Sequence, residues 1–243
     1  MIDFLQIGVP ALNKLMIQME GIVKRFGSIT ALDNMNFHAY GGEITAIVGD
    51  NGSGKSTLIQ LLTGCLKPDQ GVIQIKDRVF HSLTAKEAME QGITAVYQDL
   101  ALDNCKDCAG NLFLGRELLH FGIFLDHRAM YQETEKLLRQ FHIRIPDIRQ
   151  PVEKMSGGQR QAVAIARAVY QNGDIMIFDE PTRGIDIGAK SEIYQIMRGL
   201  ADEGKGIIMV SSELPELLML CDRIVVFNRG EIAAIFDGEE ATE

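Results

Sequence analysis

Residues 49–57 read Gly-Asp-Asn-Gly-Ser-Gly-Lys-Ser-Thr and fill every fixed position of the phosphate-binding pattern G-x-x-x-x-G-K-[ST]. Gly49, Gly52 and Gly54 let the backbone turn back tightly, so that successive N–H groups across Asp50, Asn51 and Ser53 face one anionic group. A helix starting near Lys55 adds the positive end of its dipole. In such a loop Lys55 reaches the β- and γ-phosphates of a nucleoside triphosphate, the Ser56 hydroxyl ligates Mg²⁺ and the Thr57 hydroxyl touches the α-phosphate. A glycine-rich strand-to-helix connection that binds nothing does not require Lys-Ser at its end.

Three further groups of residues carry chemistry. The apolar run 174–178 reads as a strand that delivers Asp179 and Glu180 side by side, and the turn forced by Pro181 can bring both toward one site. An Asp there holds Mg²⁺ through water, and a neighbouring Glu polarises an attacking water. Ser156-Gly157-Gly158-Gln159 opens a strongly helical run, where two glycines weaken the helix start. Anion binding at the helix amino terminus gives them one reason, and a Ser-led cap with tolerated glycines gives another. Gln98 ends a β-branched strand, at the strand end where ligands of open α/β sheets gather.

The elements that position these groups follow from periodicity and turn residues. Strands are expected over 17–26, 36–40, 43–48, 72–75, 93–97, 174–178 and 207–211, with a hairpin of 223–227 and 231–235. Helices are expected over 56–63, 84–91, 130–141, 189–200 and 215–220, and from the glycines at 157 and 158 through Val169. The region 99–170 reads as a helical insertion, and its apolar stretch 112–125 is expected to be buried within it, with contact to a partner as the alternative. Phe26 ends the first strand, a position suited to stacking on a purine ring for about 1 kcal/mol or to packing in the core.

Composition sets the outer limits. At 243 residues, 46% hydrophobic and 23% charged, the chain has length enough for a sizeable core in one or two lobes. A formal net charge of −9 argues against a general nucleic-acid binder. Of the four cysteines, only Cys105 and Cys108 have metal-like spacing, and a structural zinc site needs two more ligands. Reduced thiols in a cytosolic protein are the expectation. No stretch of about 18 uninterrupted apolar residues offers a membrane span. Residues 1–15 lack a basic n-region and a small-residue cleavage site, so they are read as an extension rather than a signal peptide, with Met16 or Met19 as an alternative start. The acidic tail 237–243 is expected to be solvated.

A phosphate-binding loop alone is common to kinases, GTPases and many ATPases. With Ser156–Gln159 lying between it and the Asp179-Glu180 strand, and with Gln98, the chain resembles an ATP-binding cassette ATPase over residues 16–236. The resemblance implies an α/β fold: a P-loop core with a mixed sheet, an antiparallel amino-terminal β part and a helical insertion. It implies that Gln98 is the Q-loop glutamine and a metal contact, that residues 155–159 are the signature (with Met155 in place of Leu), that Asp186 marks the D-loop and that Phe26 stacks on adenine. It implies ATP and Mg²⁺ as ligands, with Ser56, Gln98 and Asp179 around the metal and Glu180 as the catalytic base.

It further implies a head-to-tail dimer, homotypic or heterotypic, in which one subunit's nucleotide is completed by Ser156–Gln159 of the other. A transmembrane permease, and indirectly a substrate-binding protein, would be the further partners, with the chain peripheral on the cytoplasmic face of the membrane. One position departs from the family: Ser212 stands where its switch histidine is expected, which predicts slow hydrolysis in a homodimer or a partner that supplies a complete site. Residues 181–190 and 210–216 look like ribose- and xylose-type importers, and 96–102 with 115–117 like fructose-type members. Import of a monosaccharide is therefore the expected use of the ATP, and a soluble or regulatory cassette of low turnover the alternative.

Overall fold

In a computed structural model, residues 14–171 and 173–238 are described. Most of the amino-terminal extension and residues 239–243 of the acidic tail lie outside them. A central sheet of six strands has the order β12-β11-β3-β10-β9-β6, from β3 (Ile44–Gly49), β6 (Ile93–Val96), β9 (Ile175–Asp179), β10 (Gly206–Val210), β11 (Arg223–Asn228) and β12 (Glu231–Asp237). All neighbours pair in parallel except the closing hairpin β11–β12. Its inner strands are apolar on successive residues because both faces are covered. In β9, Met176 and Phe178 face one core, while Ile175 and Ile177 face the other.

One face is covered by an antiparallel sheet of order β2-β1-β4-β5, built from β1 (Leu15–Phe26), β2 (Ile29–Tyr40), β4 (Gln70–Ile75) and β5 (Arg78–Phe80). Helices α1 (Lys55–Leu62) and α2 (Ala85–Glu90) join it through Leu58, Leu61, Leu62 and Ala88. The opposite face carries α3 (Cys108–Leu112), α4 (His127–Gln140), α5 (Gly157–Tyr170), α6 (Ile187–Asp202) and α7 (Leu214–Leu220). The strand β2 runs back to Ile29, well before the expected start at Asn36, because its early residues pair with the end of β1 across the Gly27-Ser28 turn.

Region 99–170 is not wholly helical. Between α3 and α4 the short strands β7 (Leu119–His120) and β8 (Phe124–Leu125) form a hairpin. Leu112 and Phe113 are buried, but Leu119, Phe121, Ile123, Phe124 and Leu125 are exposed, Phe121 at 84%. The expectation of burial for this apolar stretch is thus corrected. A two-residue ladder, turned by Phe121 and Gly122 at positive φ, has no second layer of its own to cover it.

Candidate functional site

The carboxyl ends of β3, β6, β9 and β10 lie along one edge of the central sheet, since these strands are parallel and in direct register. Val210 is level with both Ile47 and Asp179, and Phe178 with Val96. Residues immediately after these levels therefore converge. They include Gly49 and its loop, Gln98, Asp179 with Glu180, and Ser211 with Ser212.

The loop 49–54 is shaped by glycines at positive φ: 147° at Gly49, 83° at Gly52 and 112° at Gly54. A side chain at Gly49 would put its Cβ 2.3 Å from the Phe227 carbonyl oxygen, and one at Gly54 would lie 2.7 Å from that of Ala31. The Gly230 N–H donates to the Ser53 carbonyl at 2.9 Å, so the loop is braced by the β11–β12 turn. Lys55 curls over the loop and donates to the carbonyls of Gly49 and Asp50 at 2.6 and 2.8 Å. Gly54 caps α1 without any side-chain hydrogen bond, so the first N–H groups of that helix stay free for an anion. The buried Ser53 hydroxyl has no hydrogen-bond partner among the described residues. Asp50, Asn51, Gly52 and Ser56 are exposed, and Thr57 is half-buried. The free N–H groups at the head of α1, the Lys55 ammonium over the loop and room at Gly52, where a Cβ would touch nothing, suit a polyphosphate.

At the end of β9, Asp179 is half-buried and its carboxyl is raised above the usual carboxylate range, first by burial and second by the charge of Glu180, with Lys55 opposing. Its ionised form lacks a strong positive neighbour, and a divalent cation would supply one. Glu180 takes φ of +52°, a left-handed bend that turns the chain out of the strand, while its N–H still bonds the Val210 carbonyl at 2.8 Å. The bend is how adjacent residues come to share one site. One Glu180 carboxylate oxygen accepts from both the Ser212 N–H at 3.3 Å and the Ser212 hydroxyl at 3.1 Å. The Gln98 side-chain carbonyl accepts from Arg183 at 3.3 Å. Arg183 did not stand out in the sequence, because only the fold brings the loop after β9 to the end of β6.

The other sequence-singled residues lie apart from this cluster. Ser156 and Gln159 form a reciprocal capping box at the head of α5, with Gln159 N–H on the Ser156 hydroxyl at 3.3 Å and Ser156 N–H on the Gln159 side chain at 3.0 Å. Gly158 is small because a Cβ there would lie 2.5 Å from the Ala189 Cβ on α6, whereas Gly157 is exposed with nothing closer than 4.0 Å. Among the described residues no hydrogen bond or ion pair joins 156–159 to 49–57. Asp186 caps α6 by accepting from the Ala189 N–H at 3.0 Å. Phe26 is 47% exposed at the β1–β2 turn, with Lys24 Nζ 5.6 Å from its ring centre. Cys105 is exposed, while the Cys108 thiol is buried and pushed up to about 12 by burial and Asp107, which keeps it protonated.

The family description "ABC transporter" matches residues 32–183, more than half of the chain. The chain belongs to this family. The cassette is 40% identical over 219 residues to the xylose/arabinose import ATP-binding protein of Sulfolobus acidocaldarius, covering 89% of this chain and 86% of that one. It is 36% identical to the fructose import ATP-binding protein of Rhizobium meliloti, over 91% of this chain and 88% of that one. Its fold matches the crystal structure of a nucleotide-free ATP-binding cassette from an ABC transporter with a TM-score of 0.83 at 28% identity, covering 93% and 92% of the two chains. It also matches a dimeric cassette in a post-hydrolysis state bound to ADP and Pi, with a TM-score of 0.77 at 25% identity over 91% and 98%. The cassette is thus an ATP-binding, ATP-hydrolysing subunit of the ABC class, and none of its described helices is long and apolar enough to cross a membrane.

Proposed function

We propose that this cassette is the motor subunit of a membrane importer for a monosaccharide, in which two cassettes close on ATP and reopen when it is hydrolysed. The reading is supported above all by the convergence of Lys55, Asp179, Glu180, Gln98 and Ser212 on one sheet edge, away from Ser156–Gln159. The import of xylose, arabinose and fructose by its relatives of similar length supports the substrate class.

Within one subunit, the N–H groups of the loop and of the head of α1 bind the phosphates, except that of Ser53, which donates to the Asp50 carbonyl at 3.1 Å, and Lys55 leaves the loop carbonyls for the β- and γ-phosphate oxygens. Ser56, Gln98 and Asp179 would hold Mg²⁺, which supplies positive charge against the phosphate oxygens. Glu180 is the base: its carboxylate orients and polarises the attacking water, while Ser212 fixes its direction through two donors. Phe26 offers its exposed face to the adenine. Because Ser212 is uncharged and shorter than the histidine expected at its position, hydrolysis is slow in a homodimer, or a different partner cassette supplies the complete site.

Between subunits, the exposed head of α5 presents the Gly157 N–H and the Ser156 hydroxyl to the γ-phosphate held by the partner. The nucleotide then bridges two helix amino termini, and dimerisation becomes ATP-dependent by mass action. Asp186 and the 89%-exposed Ile187 beside it lie on the same contact face. The cassette sits peripherally on the cytoplasmic face of the membrane, bound to a permease that a substrate-binding protein serves.

The test is size-exclusion chromatography of Glu180→Gln with and without ATP and Mg²⁺, alongside pull-down from membranes. An ATP-dependent dimer, turnover lowered by roughly a hundredfold, and co-purification of a permease support the reading. Normal turnover in Glu180→Gln removes Glu180 as the base. Recovery with ribosomes or DNA in place of a permease overturns the transport assignment.

A further inference from the structure

Glu216, at the first turn of α7, is 3% exposed, and no ion pair to it is found among the described residues. A buried carboxylate without a cation is costly unless its oxygens are fully hydrogen-bonded. Here three hydroxyls from three different elements supply the bonds. Thr182, two residues after Glu180, donates to one carboxylate oxygen at 2.6 Å. Tyr194 on α6 donates to the same oxygen at 2.6 Å. Ser211, adjacent to Ser212, donates to the other oxygen.

The local alternative for this carboxylate has been given up. A Glu at the third position of a helix commonly reaches back to the capping residue's N–H. In α7 that N–H, from Glu213, instead bonds the Ser211 hydroxyl at 3.0 Å, and Ser211 passes its own proton toward Glu216. The Glu213 carboxylate is occupied by Lys190 at 2.5 Å. Glu216 is thereby free to point away from its own backbone and across to the loops that follow β9 and β10. Burial and the bond to Glu216 also raise the Tyr194 hydroxyl well above the usual tyrosine range, so it stays a proton donor.

These two loops carry Glu180 and Ser212. Apart from the backbone bond of Glu180 N–H to Val210, their link is the pair of Ser212 donors on the Glu180 carboxylate. We propose that Glu216 is a positioning residue for ATP hydrolysis: it holds the Thr182 loop and the Ser211-Ser212 loop in one register, so that Ser212 aims the Glu180 carboxylate. Without the carboxylate three hydroxyls, those of buried Thr182 and Ser211 and half-buried Tyr194, lose their acceptor, the Ser212 loop is released, and Glu180 loses both donors. Glu216 acts on the base only through these loops. Through Tyr194 it also ties this register to α6, whose Ala189 packs on Gly158 of the signature, so the aim of the base depends on the helix pair that meets the partner subunit.

The inference rests on Glu180 being the base, and the experiment separates the two. Steady-state hydrolysis by the full chain is measured for wild type, Glu216→Leu, Glu216→Gln and Glu180→Gln, with KM for ATP and thermal melting alongside. Glu216→Leu is expected to lower kcat on the order of tenfold or more while KM stays within about twofold. Glu216→Gln, which keeps the length and can still accept from Thr182 and Tyr194, is expected to recover most of that loss. If Glu216→Leu does not melt cooperatively, Thr182→Val combined with Ser211→Ala takes its place, with a several-fold fall in kcat expected at unchanged KM.

A wild type that hydrolyses through Glu180 while these variants keep its kcat overturns the inference alone. So does a fall in kcat that follows loss of folded protein and rises in KM in step. A Glu180→Gln variant with wild-type turnover overturns the reading of the base and this inference with it.

Discussion

Two glycine-led helix starts carry the nucleotide chemistry of this cassette, and they are built in opposite ways. The head of α1 is open: Gly54 provides no side-chain cap, glycines of the loop before it are held at positive φ, and the Lys55 ammonium lies over it. The head of α5 is closed on itself by the Ser156–Gln159 capping box. A loop that must grip phosphates unaided is left with donors unspent and is shaped by its neighbours, Ala31 and Phe227. A start that needs only to meet a nucleotide already held by another subunit can keep its own cap until then.

This contrast ranks the expected effects. Lys55→Ala removes the cation of the open site and should lower hydrolysis by roughly a hundredfold or more, read by phosphate release. Turnover near that of the wild type would show that the loop does not bind the reacting phosphate. Gly54→Ala forces φ of 112° on a residue with a Cβ against the Ala31 carbonyl, and should destabilise by about 1–3 kcal/mol. Gly157→Ala meets open space and should change stability by less than about 0.5 kcal/mol. Equal melting shifts in the two variants would erase the distinction between a shaped loop and an ordinary helix start.

Ser156→Ala removes the cap and should cost about 1 kcal/mol in denaturant unfolding. In the Glu180→Gln background it should also weaken ATP-driven association. A loss of stability with association intact would leave Ser156 as a cap and nothing more. The smaller of the two effects on turnover belongs to Ser212→Ala. The backbone N–H still reaches Glu180, so the loss is that of one neutral hydrogen bond, about 1 kcal/mol or roughly fivefold in kcat. A drop as deep as that of Lys55→Ala would assign the contact to the hydroxyl alone.

Parts of this arrangement are legible in the sequence because they are local. Residues 49–57 form a continuous phosphate loop, Asp179 and Glu180 are neighbours, and the amphipathic and apolar runs announce α4, α6 and β9. What is not legible arises from pairings distant along the chain. The four bonds that matter most around Glu180 and Gln98 join residues 180 to 212, 182 to 216, 194 to 216 and 98 to 183. Glu216 in sequence is an ordinary acidic residue in the first turn of a helix, where a dipole argument alone would explain it. The exposed hairpin β7–β8 was hidden for the opposite reason: five large apolar residues within seven positions read as core, and only the absence of a covering layer puts them outside.

The brace that Gly230 and the Phe227 carbonyl give the loop at 49–54 has a consequence for the order of events during synthesis. The nucleotide grip is encoded at residues 49–57, yet its shape waits on the hairpin β11–β12, which is made after it. A nascent chain halted before residue 223 would carry every residue of the phosphate loop and still lack the brace that shapes it.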